Sequence, residues 1–216
     1  MPLSKTITVV LVAAVSNGIS TSQSGTAGTA LTITGSLATS GVATFDVARR
    51  VIVTSAGNDS SNSFTITGTD RYGRTQVEVI TGGNATFAQT LRDFKTVTKI
   101  VPTSNTASTV TAGTNGVASS DAWIVDSWAN PQNINYSVVG TGATTTYIIE
   151  TATDDFSPQW DLNANVPNWV TSASGSTTAL QSGQVTGPNT MLRLTVTGGT
   201  GTVTAKLVQA FIAGRA

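Results

Sequence analysis

Apolar and polar residues alternate with a period of two along most of this chain, in short runs separated by Gly, Asn, Asp and Ser. The clearest region is 46–84, where Arg50-Val-Ile-Val-Thr54, Phe64-Thr-Ile-Thr-Gly68 and Thr75-Gln-Val-Glu-Val-Ile-Thr81 are divided by Gly57-Asn58-Asp59 and by Asp70-Arg-Tyr-Gly73. Alternation bounded by turn residues predicts consecutive β-strands, here a β-meander. Further strands are predicted at Lys95–Val101, ended by Pro102, which cannot donate to a ladder, and at Thr109–Thr111. Between Phe87 and Phe94 the Leu91-Arg92-Asp93 triplet is compatible with one helical turn.

The first fifteen residues place Lys5 before an apolar-leaning run. That arrangement resembles a secretion signal, but the β-branched alternation of Thr6, Ile7, Thr8 and Val9 favours a strand, followed by an Asn17-Gly18 turn. The run is far too short to span a bilayer. Residues 16–41 are dominated by Ser, Thr, Gly and Ala around one apolar patch, Leu31-Thr32-Ile33. Alone, such a composition does not pack a core, so the expectation is a flexible arm held by neighbouring chains, with an ordinary strand pair and loose loop as the alternative.

A composition shift near Ser119–Asp126 marks a boundary, because all four tryptophans, Trp123, Trp128, Trp160 and Trp169, follow it. Beyond it, Asn133–Val138 and Thr145–Glu150 are predicted to form one hairpin, and Met191–Thr197 and Val203–Phe211 a second. The spacing suggests a closing antiparallel sandwich. The predicted organisation is all-β: an N-terminal strand and extended arm over 1–41, a central β-meander or barrel-like domain over 42–122, and a jelly-roll-like antiparallel β-sandwich over 123–216.

Composition sharpens this picture mainly by exclusion. The 216 residues include 40 Thr, and charged residues make up only 10% and balance to zero. Long helices are disfavoured, and there is no basic surface for nucleic acid or anionic lipid. Cys and His are both absent. That removes disulfides, thiolate nucleophiles, the partner of a serine nucleophile and the commonest metal ligands, so an enzyme would depend on carboxylates alone. A surface of Thr, Ser, Asn and Gln instead of charge suits a subunit that works assembled.

The run Arg50-Val-Ile-Val-Thr-Ser-Ala-Gly-Asn-Asp59, with Phe64-Thr-Ile-Thr-Gly-Thr-Asp70, Gln76-Val-Glu78 and Thr96-Val-Thr98, resembles a recurrent family of structural proteins of tailed-bacteriophage virions. Asn130-Pro131, the Tyr136 and Tyr147 strands, the Asp154-Asp155 corner and the closing 192–203 segment extend the likeness over roughly residues 45–212. The resemblance implies a β-rich subunit displayed in many copies on a virion assembled in the host cytoplasm. It implies a capsid decoration (cement) protein contacting the major capsid protein and copies of itself, with a trimer favoured. A neck or tail component of the same phage is the close rival. No catalytic residue, cofactor or metal is implied, and neither nucleic acid nor a membrane is an expected partner.

Several residues are singled out for chemistry. Arg49 and Arg50 are either bidentate anchors for carboxylates of a neighbouring subunit or solvated strand ends. Asp154, Asp155 and Asp161 offer oxygen ligands for calcium, but at a spacing that fits a corner turn better. Glu78 and Glu150, the carboxylates considered for glycoside hydrolysis, read as outward residues of separate strands. Trp123, Trp128, Trp160 and Trp169 are candidates for core, for interface, or for a stacking platform in a carbohydrate-binding module on a tail or cell surface.

Overall fold

The computed structural model describes residues 3–11, 13–126, 133–141, 145–154, 167–176 and 180–209. Every regular element among them is a strand. They run β1 (Leu3–Leu11), β2 (Ser20–Ser24), β3 (Ala38–Thr39), β4 (Val42–Ser55), β5 (Ser63–Thr69), β6 (Thr75–Thr81), β7 (Phe87–Pro102) and β8 (Thr109–Thr114). There follow β9 (Ala118–Ser119), β10 (Trp123–Ile124), β11 (Ile134–Thr141), β12 (Thr146–Ala152), β13 (Val170–Ser176), β14 (Gln181–Val185), β15 (Met191–Gly198) and β16 (Gly201–Gln209). The all-β class expected from the alternation is therefore the observed one. The chain divides into a continuous unit, Ala13–Val117, and a discontinuous unit formed by Met1–Val12 with Ala118–Ala216.

The continuous unit is one seven-stranded sheet in the order β2-β8-β4-β7-β5-β6, with β3 attached to β4. β5 and β6 form the expected hairpin, from Ser63 opposite Thr81 to Thr69 opposite Thr75. A simple meander would place β4 beside β5, but β7 lies between them because its sixteen residues are long enough to pair with β4 along one half and with β5 along the other. Phe45, Phe64, Ile66, Phe94, Val97 and Ile100 form the centre of the core.

Residues 16–41 are not a separate arm. Ile19, Leu31 and Ile33 are buried in this same core, and Leu31 donates its N–H to the Ile100 carbonyl at 2.8 Å. The Gln23 side chain acts as an artificial strand partner, giving its amide to the Thr32 carbonyl and taking the Thr32 N–H, both at 2.9 Å. A polar, Gly-rich composition hid this because few apolar side chains, Ile19, Leu31 and Ile33 with Leu37 and Ala38 packed beside them, anchor the segment, and hydrogen bonds within the chain do the rest.

The discontinuous unit is the expected antiparallel sandwich, with sheets β1-β16-β11-β14 and β10-β15-β12-β13, and β9 attached to β15. Its hairpins differ from expectation. β11 and β12 lie in different sheets, as do β15 and β16, so both predicted hairpins are connections that carry the chain from one sheet across to the other. Alternation and a glycine turn are common to the two arrangements, since facing strands also bury every second residue. The sandwich encloses Ile134, Val138, Tyr147, Ile149, Leu192, Leu194, Val196, Val203 and Leu207.

The N-terminal strand belongs to this sandwich as well. β1 pairs with β16 over its whole length, from Leu3 opposite Gln209 to Leu11 opposite Gly201, and buries Ile7, Val9 and Leu11 in the sandwich core. The boundary expected at 122/123 falls at 117/118, and 1–41 is divided between the two units. Sequence adjacency could not reveal this pairing, because the partner strands are the first and last among the described residues.

Candidate functional site

The densest collection of charge lies where β4 and β7 fall out of register. Phe45–Ala48 of β4 stand opposite Lys95 alone, and Thr90–Arg92 of β7 stand opposite Val51 alone. Bulges leave backbone groups unpaired, and here charged side chains take them up. Lys95 Nζ donates to the carbonyls of Phe45 at 2.7 Å and Asp46 at 3.1 Å. The Glu78 carboxylate accepts the N–H groups of Leu91 at 2.6 Å and Arg92 at 3.1 Å. The predicted helical turn at Leu91–Asp93 is thus a bulge whose free donors are satisfied by a side chain from β6.

Between the bulges sit the two arginines. Arg49 is 2% exposed and its guanidinium meets Asp46 at 2.6 Å. Arg50 is 6% exposed, lies 2.9 Å from the Asp93 carboxylate and donates to the Thr90 carbonyl at 3.0 Å. The Arg50 Nε–H is not aimed at that carboxylate oxygen, so the contact is coulombic more than a directed hydrogen bond. Arg71 reaches the other Asp93 oxygen at 3.3 Å, which places this carboxylate between two guanidiniums. Neither Arg49 nor Arg50 is presented to a neighbour: the alternation that put one of each pair outside is broken by the register shift, and both end inside with carboxylates of their own chain.

Glu78 also departs from its outward reading. Gln76, Glu78 and Ile80 share one side of β6; Ile80 is buried in the core and Gln76 donates to the Asp93 carbonyl at 3.0 Å. The sheet therefore curls so that β6 faces the first half of β7. Burial pushes the Glu78 carboxyl up, opposed by the Leu91 and Arg92 N–H groups and by the charges of Arg92 and Arg50. The sequence was ambiguous here, since Ile80 marks this side of β6 as apolar while Val77 and Val79 mark the other, and the structure buries Ile80 and exposes both valines.

In the sandwich, Glu150 is buried rather than outward. It accepts from Arg193 at 2.7 Å and from the Thr195 hydroxyl, which also bonds Ser119 at 2.9 Å. The Arg193 guanidinium lies 4.3 Å from the centre of the half-buried Trp169 ring, a cation–π stack. Trp123 on β10, opposite Leu192, is 8% exposed and part of the core. Trp128 and Trp160 fall outside the described residues, as do Asp155 and Asp161. The Asp154 carboxylate accepts from the Asn168 backbone at 2.9 Å and side chain at 3.1 Å, so it ties the chain after β12 to the chain before β13. Among the described residues no group of three acidic side chains is arranged to hold a metal.

The remaining feature is the edges. β2 is covered by the 29–34 segment, through Gln23 and through Ser20, whose hydroxyl donates to the Thr32 carbonyl at 2.9 Å. β1, β13 and β14 end their sheets in the sandwich. Together these three strands carry one charged residue, Lys5, and no proline. Soluble proteins ordinarily protect free edges with charge, proline or a covering segment. Comparison with family models, curated proteins and solved structures returned no match.

Proposed function

We propose that this chain is a structural subunit of an assembled particle, a decoration (cement) protein on the head of a tailed-phage virion. The observation that carries the assembly reading is that, among the described residues, β1, β13 and β14 end their sheets with one lysine between them and no proline. Edge strands with little charge and no proline are suited to contact other chains, and main-chain hydrogen bonds supply much of such contacts. The burial of charge within each unit supports it, since Arg50, Asp93, Glu150 and Arg193 stabilise bulges and sheets of their own chain. The phage assignment rests on the resemblance over residues 45–212.

The test is the copy number of this chain in purified particles, by quantitative peptide mass spectrometry against the major capsid protein. Decoration requires a number comparable with that protein; the number of a single ring would move the chain to the neck or tail, and its absence from particles overturns the virion reading. The carbohydrate-binding alternative retains Trp169 as its described platform, with one ring face against Arg193. Tryptophan emission that does not respond to host glycan removes it.

A further inference from the structure

We infer that β1 is an exchangeable strand, able to complete the sandwich of a second copy of this chain in place of its own. The occupant of the slot beside β16 is specified by the structure itself. Nine consecutive register pairs, Leu3 opposite Gln209 through Leu11 opposite Gly201, show that this sequence fits that edge, and Ile7, Val9 and Leu11 fill the apolar side of the slot. A second copy offers the identical strand and the identical slot, so exchange creates no new contact type and loses none.

Topology favours the exchange. Thr8 and Thr204 face each other across β1 and β16 although 196 residues separate them. At ordinary synthesis rates β1 precedes its partner by on the order of 10–40 s. During that interval the whole of the 13–117 unit is made and has its own core to form. β1 meanwhile is an alternating apolar strand with one lysine and no interior proline, so nothing in it resists pairing with another chain. Ala13 and Ala14, in the connection that follows it, are exposed small residues. Where many copies meet, the slot of a neighbour competes with the chain's own.

The experiment uses the full chain, which has no native cysteine. Thr8 and Thr204, whose hydroxyls are 3.3 Å apart on the outer side of the sheet, are replaced in one chain as T8C and T204C. Protein grown in light and in ¹⁵N medium is mixed, unfolded and refolded together. It is then diluted and bridged with a short bis-maleimide, which tolerates imperfect geometry. The bridged 8–204 peptides are weighed. Exchange gives light–heavy pairs approaching their statistical share; bridged peptides that are only light–light and heavy–heavy overturn it. A refolded mixture in which neither cysteine can be bridged to the other also overturns it, because both the closed and the exchanged forms keep these positions adjacent. The outcome is independent of the particle in which the subunit sits, so a negative result leaves the copy-number test standing.

Discussion

Replacing Asp93 with alanine should unfold the continuous unit selectively. The Arg50 and Asp93 side chains are 7% and 5% exposed, and Arg71 approaches the same carboxylate. Asp93→Ala leaves the buried Arg50 guanidinium without its carboxylate and beside a second cation, Arg71. Breaking a buried pair from one side costs about 3–5 kcal/mol, whereas an exposed pair is worth about 0–1 kcal/mol. With a urea m-value of roughly 2 kcal/mol/M, a loss of about 3 kcal/mol lowers the unfolding midpoint by roughly 1.5 M. The readout uses the placement of the tryptophans, which all lie between 123 and 169 in the discontinuous unit and none in the continuous one. Far-ultraviolet circular dichroism should show an early transition in Asp93→Ala while the tryptophan-detected midpoint stays in place. Adding Arg50→Met should recover part of the loss, since the uncompensated buried charge is then removed. A shift corresponding to less than about 1 kcal/mol would refute the argument and return the Arg50–Asp93 pair to the class of surface contacts.

Two further outcomes follow from the same geometry. A methyl group at Gly113 would overlap the Val15 carbonyl oxygen, where the 13–18 segment crosses β8; Gly113→Ala should therefore cost about 3 kcal/mol of the continuous unit's stability, read by urea titration, and a neutral result would mean that the crossing is not there. For Glu78, burial raises the folded carboxyl above its unfolded value. The unfolded state then binds fewer protons, so the stability this group contributes is complete at pH below the unfolded value and is lost as pH rises through the raised one. Relative to Glu78→Gln, the native protein should lose stability as the pH rises above the ordinary carboxyl range; a gap that moves the other way in parallel denaturation series contradicts the assignment.

Much of the local structure was legible in the order of residues. The period-two alternation, the 40 threonines and the turn clusters required an all-β chain, and Gly, Asn and Asp marked where most strands stop. The β5–β6 hairpin was readable because both strands and their turn lie within one window, Ser63–Thr81. Long-range relations were not readable. Whether two alternating runs joined by glycines pair in one sheet or face each other across a core depends on which faces meet, and β11/β12 and β15/β16 took the second course.

The candidate site follows the same division. The sequence by itself determined how little chemistry is present: with neither His nor Cys and few charges, this chain depends on carboxylates and guanidiniums. Tertiary structure alone decided where those groups act. Register shifts at the two bulges turned Arg49 and Arg50 inward, because a displacement of pairing reassigns faces that alternation alone would fix, and Glu78 came inside with the Gln76–Ile80 side of β6. The placement of β1 beside β16 likewise emerged only in three dimensions. Its strand character is a local property of Thr6–Val9, but its partner is set by the shape of a slot that forms once the last strand has been made.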